Sequence, residues 1–176
     1  MDDIETIKKN SSNKEYMLDI VKQKGTYLEW ASPELQDDKE IVIEALKQDG
    51  GALEFTSNRL KDDKDVLMQA LEKTGWVACY ASDRLKDDKD VMLKAVKKDG
   101  QILYYASENL RNDKEVVLEA VKNKAIILKY ASKELRQDKD IAIAALMQNK
   151  KAKSYICERL FEDEDVQNIL NPKEEN

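Results

Sequence analysis

The sequence predicts an all-α fold, an α-solenoid of about six 25-residue helix-turn-helix repeats with degenerate capping repeats at both ends. Three observations predict it. First, the 176-residue chain aligns with itself at a shift of 25. Leucine recurs at Leu35, Leu60, Leu85, Leu110, Leu135 and Leu160, and aspartate at Asp38, Asp63, Asp88, Asp113, Asp138 and Asp163. Alanine recurs at Ala45, Ala70, Ala95, Ala120 and Ala145, and aromatic residues at Trp30, Phe55, Tyr80, Tyr105, Tyr130 and Tyr155. A constant period of this kind is the mark of stacked supersecondary units. Second, each copy carries a helix start, a wide apolar stripe and a helix stop in the same register. Third, only 5 glycines and 2 prolines are present, so little of the chain is loop.

The elements follow in order along one expected domain, residues 1–176. A front cap occupies about residues 1–25, where "NKEYMLDIVKQKG" has Asn13 in the cap position and Ile20 in the alanine position. Full repeats run over about residues 26–150. Their long helix is clearest in "DKDVMLKAVKKDG": Asp88 caps it, Asp90 adds charge at the positive end of the helix dipole, and Val91, Met92, Leu93, Ala95 and Val96 form the stripe. Alanine lets neighbouring helices approach, since a larger side chain would overpack the contact. Gly100, like Gly25, Gly50 and Gly75, stands where a left-handed residue closes a helix. Ala125 and Lys150 replace it, so those turns are expected to be looser or differently shaped. A short second helix follows, as in "QILYYAS", with Ile102, Leu103, Tyr105 and Ala106 expected inward. Ser107 ends it and starts one more turn; in the first copy Ser32 and Pro33 do this. The back cap, about residues 151–176, has polar Gln167 and Asn168, Leu170 in the alanine position and Pro172 as a stop.

Charge and composition narrow the function classes. Thirty basic and 36 acidic residues are interspersed, for a net charge of −6. That balance disfavours a phosphate backbone as partner, so nucleic acid is an unlikely one. The opening "MDDIETIKKN" has no apolar run for a signal peptide or span, which leaves a cytoplasmic, monomeric protein away from membranes as the expectation. Cys79 and Cys157 lie at inequivalent repeat positions, so no disulfide framework is expected.

Catalytic constellations are scarce. The chain has no histidine, the commonest general base and metal ligand. It has no phosphate-binding glycine loop and no strained serine elbow. The repeated "DDKD" acids are adjacent at helix starts and lack the glycine bend of a calcium loop, so they are expected as caps. No enzyme activity, catalytic residue, cofactor or metal is therefore expected. Lys39, Lys64, Lys89, Lys114 and Lys139 are expected as a solvated row offset by the acids beside them.

The phrase "YASDRLKDDKDVMLKAVKKDG" and its neighbour "YASENLRNDKEVVLEAVKNK" closely resemble the tandem-repeat family catalogued as domain of unknown function 4116. The resemblance covers about residues 13 to 165. Its aromatic-Ala-Ser, Leu, Asp-Lys and Ala-Val elements all recur in register. The last copy departs from it at Ile156, Cys157 and Glu164. It implies no activity and carries no catalytic residue onto this chain.

In a repeat stack, recurring positions build the stack and varying ones are free to serve a partner. The first variable position of the second helix runs Thr26, Gly51, Trp76, Gln101, Ile126 and Lys151. Three residues later it runs Glu29, Glu54, Cys79, Tyr104, Lys129 and Ser154, on the same helix face. The middle of this double ladder is apolar and aromatic. We therefore expect a non-catalytic protein-protein interaction module, an adaptor or stoichiometric inhibitor, whose partner-binding residues are Trp76, Cys79, Tyr104, Ile126 and Lys129. The alternative is a nucleic-acid-linked role, through the late basic patch Lys150, Lys151 and Lys153 or through acidic mimicry of nucleic acid.

Overall fold

An aspartate that precedes an apolar stripe should start a helix, because its carboxylate can take the unpaired amides of the first turn. In the computed structural model, which describes residues 3–172, it does. Asp38 Oδ1 accepts from the amides of Glu40 and Ile41 at 3.0 and 3.3 Å. Asp63, Asp113, Asp138 and Asp163 each accept two amides in the same way, and Asp88 accepts from Val91. Asn13 caps the first copy through the Tyr16 amide at 3.1 Å.

Among the described residues every regular element is helical and there is no strand. The helices are α1 (Ile4–Lys9), α2 (Lys14–Gln23), α3 (Pro33–Gln36), α4 (Lys39–Gln48), α5 (Asn58–Lys61), α6 (Lys64–Lys73), α7 (Asp83–Lys86), α8 (Lys89–Lys98), α9 (Glu108–Arg111), α10 (Lys114–Asn123), α11 (Lys139–Gln148) and α12 (Glu164–Leu170). The long helix of each full repeat buries the same four positions, such as Val116, Val117, Ala120 and Val121 in α10. α12 buries Val166 alone, and its Gln167 and Asn168 are exposed, the polar outer face expected of a cap. α1 was not anticipated, although its signals are local: Asp3 accepts from the Thr6 amide at 2.7 Å, and Ile7 is buried.

The second helix of each repeat is a six-residue 3-10 helix rather than an α-helix. These segments are Gly25–Trp30, Gly50–Phe55, Gly75–Tyr80, Gly100–Tyr105, Ala125–Tyr130 and Lys150–Tyr155. In a 3-10 helix residues three apart eclipse. Gly100 and Leu103 are therefore buried together, and Gln101 and Tyr104 are exposed together. Asp99 promotes this tight start by accepting from the Gln101 amide at 2.9 Å; Asp49, Thr74 and Asn149 do the same in their repeats.

The expected left-handed glycines are absent: no described residue has positive φ. The long helix ends instead on an extended residue, such as Asp49 at φ −142° and ψ 112°. Glycine follows because the next long helix passes too close for a side chain. A Cβ on Gly25 would lie 2.3 Å from the carbonyl oxygen of Ala45, and one on Gly100 would lie 2.4 Å from that of Ala120. The turns at Ala125 and Lys150 are correspondingly not looser. Both start 3-10 helices of the usual length, and the residue before Ala125 keeps φ −148°.

Three kinds of contact tie each repeat to the next. The amide at the recurring serine donates to a carbonyl of the previous short turn, as in Ser57 to Gln36 at 3.1 Å and Ser132 to Arg111 at 3.0 Å. The serine hydroxyl donates to the first aspartate of the previous pair: Ser57 to Asp37, Ser82 to Asp62 and Ser107 to Asp87. Arg59 and Arg84 add their guanidinium groups to Asp37 and Asp62 at 2.9 and 3.0 Å. The lysine row, expected as a solvated face, instead reaches forward. Lys39 Nζ donates to the cap carboxylate of Asp63 at 2.7 Å, and Lys89 to that of Asp113 at 2.8 Å.

The chain divides into two compact units, residues 1–85 and 86–176. In the first, α2, α4 and α6 stack in chain order, with their 3-10 helices as a second row. In the second, α8, α10, α11 and α12 do the same. Each unit is a short solenoid of this 25-residue period. Within the second, Leu135 is only half-buried, and its short turn narrows to the 3-10 segment Leu135–Gln137. The expected caps at residues 1–25 and 151–176 include residues 1, 2 and 173–176, which lie outside the described residues.

Candidate functional site

The 3-10 geometry decides which residues leave the stack. The four segments from Gly50 to Tyr130 turn their third and fourth residues inward, as Val77 and Ala78 do, and their second and fifth outward; in the first segment Tyr27 is only half-buried, and in the last Lys153 is exposed. The variable series fall on those outward positions. In the first unit Trp76 is 44% exposed and Cys79 is half-buried beside it on the same face. In the second unit Tyr104 is 53% exposed and Ile126 37%, and Lys129 is exposed. These are large apolar groups left in water where the stack does not need them.

In the second unit two of the five anticipated residues converge on one ring. Tyr104 meets Tyr130 edge-on, with centroids 4.8 Å apart and an interplanar angle of 63°. Lys129 holds its ammonium 4.7 Å from the centroid of the same ring. Ile126 lies three residues before Lys129 in its 3-10 helix and so shares its face. Beyond it, an open depression of about 560 Å³ is lined by Ile126, Lys150, Lys151, Lys153, Ser154 and Tyr155. The recurring Tyr130, assigned only to packing by the sequence, is thus half-exposed and central to this patch. Tyr105, expected to face inward, is likewise only half-buried and packs edge-on against Tyr104 at 4.9 Å. At the end of a six-residue helix its ring lies along the rim of the core, while Leu103 fills the interior.

In the first unit the recurring aromatic ties down a variable acid. The Tyr80 hydroxyl donates to Glu54 Oε2 at 3.0 Å. Partial burial, then this carboxylate, push the Tyr80 phenol above its ordinary pKa. Glu54 is therefore engaged in the stack, which the charge series alone did not reveal. Among the described residues no group of three or more cysteine, aspartate or glutamate side chains is placed to hold a metal ion. No described helix is long and apolar enough to cross a membrane. What the exposed patches can do chemically is bury aromatic area and set one cation beside it.

The family described as domain of unknown function 4116 matches the chain in five overlapping windows, residues 13–61, 38–86, 63–111, 88–136 and 113–161. The windows step by the same 25 residues as the structural repeat, and the chain belongs to that family. No curated protein and no solved structure matches it.

Proposed function

We propose that this member of the repeat family is a non-catalytic protein-interaction module, an adaptor or stoichiometric inhibitor, that docks a partner protein through the outward face of its 3-10 helices. The observation that carries the reading is the exposed cluster of Tyr104, Tyr130 and Lys129. Aromatic rings bury much area at little rotamer cost and often anchor interfaces. Here a tyrosine and a lysine stand at positions whose identity changes from repeat to repeat. Ile126 extends this surface, and Trp76 with Cys79 supplies the corresponding surface of the first unit.

The test uses the whole chain as bait in native lysate, followed by binding measurements on the protein it captures. Tyr104→Ala or Trp76→Ala should weaken that complex by about 1–3 kcal/mol, with a smaller stability loss of about 1 kcal/mol or less from the edge contacts that Tyr104 gives up. Affinity should vary little with salt, because apolar contacts are not screened. Wild-type affinity in both variants would overturn the assignment of this surface. Capture of nucleic acid instead, weakening steeply as salt rises, would favour the alternative role through Lys150, Lys151 and Lys153.

A further inference from the structure

The second unit carries a second, polar pocket, an open cavity of about 580 Å³ that the stacking contacts leave unfilled. Its charged lining is Arg111, Lys129, Lys133 and Arg136, against Glu108 and Glu134, an excess of two positive charges. Two changes from the earlier repeats create it. The first aspartate of the pair, which clasps an arginine at Asp37 and Asp62, becomes the neutral Asn112 and then Gln137. The end of the short turn, Gln36 and Lys61 in the first unit, becomes Arg111 and Arg136.

The earlier residues are satisfied by their own repeat. Gln36 Nε2 donates to the carbonyls of Leu28 and Glu29 at 3.1 and 3.3 Å, and Lys61 Nζ to that of Glu54 at 2.7 Å. The two arginines are not. The Nε–H of Arg111 and the Nε–H of Arg136 are both shielded from water and meet no acceptor. A shielded donor without a partner is costly, and a ligand oxygen that reaches it removes that cost.

We propose that this pocket binds a phosphomonoester dianion, with Arg111 and Arg136 each turning its Nε–Nη edge onto the phosphoryl oxygens. The guanidinium fork matches tetrahedral oxyanions through paired, charge-assisted hydrogen bonds. A dianion balances the two excess positive charges of the lining. Lys129 and Lys133 add attraction, which Glu108 and Glu134 reduce without cancelling. The site adjoins the proposed protein contact and shares Lys129 and Tyr130 with it, whereas Tyr104 and Ile126 lie outside its wall.

The test is titration of the whole chain at pH 7.5 with phenyl phosphate, followed by NMR of the arginine Nε–H groups and by calorimetry. The expected result is a shift of the Arg111 and Arg136 signals, with binding about tenfold tighter than for phenyl sulfate, a monoanion of the same shape. Arg136→Gln should weaken phenyl phosphate about tenfold, Arg136→Lys should not restore it, and Tyr104→Ala should leave it unchanged. Unshifted Nε–H signals at saturating ligand, equal binding of phenyl sulfate, or wild-type affinity in Arg136→Gln would each overturn the proposal. Should Arg136→Gln fail to fold, the Nε–H shifts and the sulfate comparison on the wild-type chain still decide. Two further probes support the site and separate its source: inorganic phosphate binding as well as phenyl phosphate indicates a free metabolite, and a phosphoserine peptide binding more tightly than either indicates a modified protein.

Discussion

Asp113 serves two neighbours with one carboxylate. Its Oδ1 accepts from the amides of Glu115 and Val116 at 3.0 and 3.1 Å, and its Oδ2 from Lys89 at 2.8 Å. Asp113→Ala removes the cap and the ion pair together and should cost about 1–2 kcal/mol in urea unfolding. Asp113→Asn keeps a capping oxygen, as Asn13 does in the first copy, and loses only the screened ion pair with Lys89, so it should cost less, about 0.5 kcal/mol. Equal losses for the two variants would show that the charge, not the cap, matters. Gly25 raises a different issue, because its backbone conformation suits any residue. Gly25→Ala should cost about 1–3 kcal/mol by pressing a methyl group against the Ala45 carbonyl. The loss is bounded, since Ala125 occupies the equivalent position while its amide still donates to Gln148 at 3.0 Å. A stabilised Gly25→Ala would refute the close-approach account.

The 3-10 helix is the element that separates stacking from surface. Its buried residues, Ile102 and Leu103 in one copy, belong to the core, and Leu103→Ala should cost about 2–5 kcal/mol. Tyr105 lies half-buried at the end of the same element. Tyr105→Ala loses an edge contact with Tyr104 and part of a ring's burial, so about 1–2 kcal/mol is expected. Chemical denaturation of the two variants side by side checks the order. A larger loss for Tyr105→Ala would mean that the aromatic row, not the aliphatic pair, holds the second row of helices in place.

Across the molecule, the inter-repeat ion pairs set how stability depends on pH. Partial burial opposes the charge of Asp38, Asp63, Asp113 and Asp138, but the lysine of the previous repeat and the capped amides outweigh it and hold each carboxyl below its usual pKa. Asp163 is lowered chiefly by Lys139. A lowered folded pKa stabilises above the unfolded value of about 3.9, and that contribution is lost as pH falls through the folded value. Conversely, Lys14, Lys89, Lys114 and Lys139 are raised, chiefly by hydrogen bonds to those carboxylates. Their contribution is complete below about pH 10.4 and is lost as pH rises through the folded value. With no histidine in the chain, melting temperature should be flat from about pH 5 to 8 and fall only towards the acid and alkaline limits. A steep change near neutrality would refute this origin. The exposed pairs are screened by salt, so the acid-side fall should also be shallower at high ionic strength.

Most of what was legible in the chain alone is carried by neighbours within a turn, although α1 and the caps that start the 3-10 helices, equally local, were not read from it. The second aspartate of each pair, the buried alanine and the polar last helix were legible because a cap or a stripe finds its partners within three or four residues. The period supplied the all-α repeat class for the same reason: each copy repeats those local rules. Tertiary structure decided what crosses from one repeat to the next. The first aspartate receives a serine 20 residues on, and Lys39 reaches a cap 24 residues on. Such pairings depend on the offset between stacked helices, which no local rule contains. The same offset gave glycine its role, since the atom it must avoid belongs to the next long helix. It also left the Nε–H groups of Arg111 and Arg136 without acceptors. The substitutions behind that pocket, Asn112 and Gln137 for aspartate, stand in the sequence, but their meaning depends on which arginines the stack brings beside them.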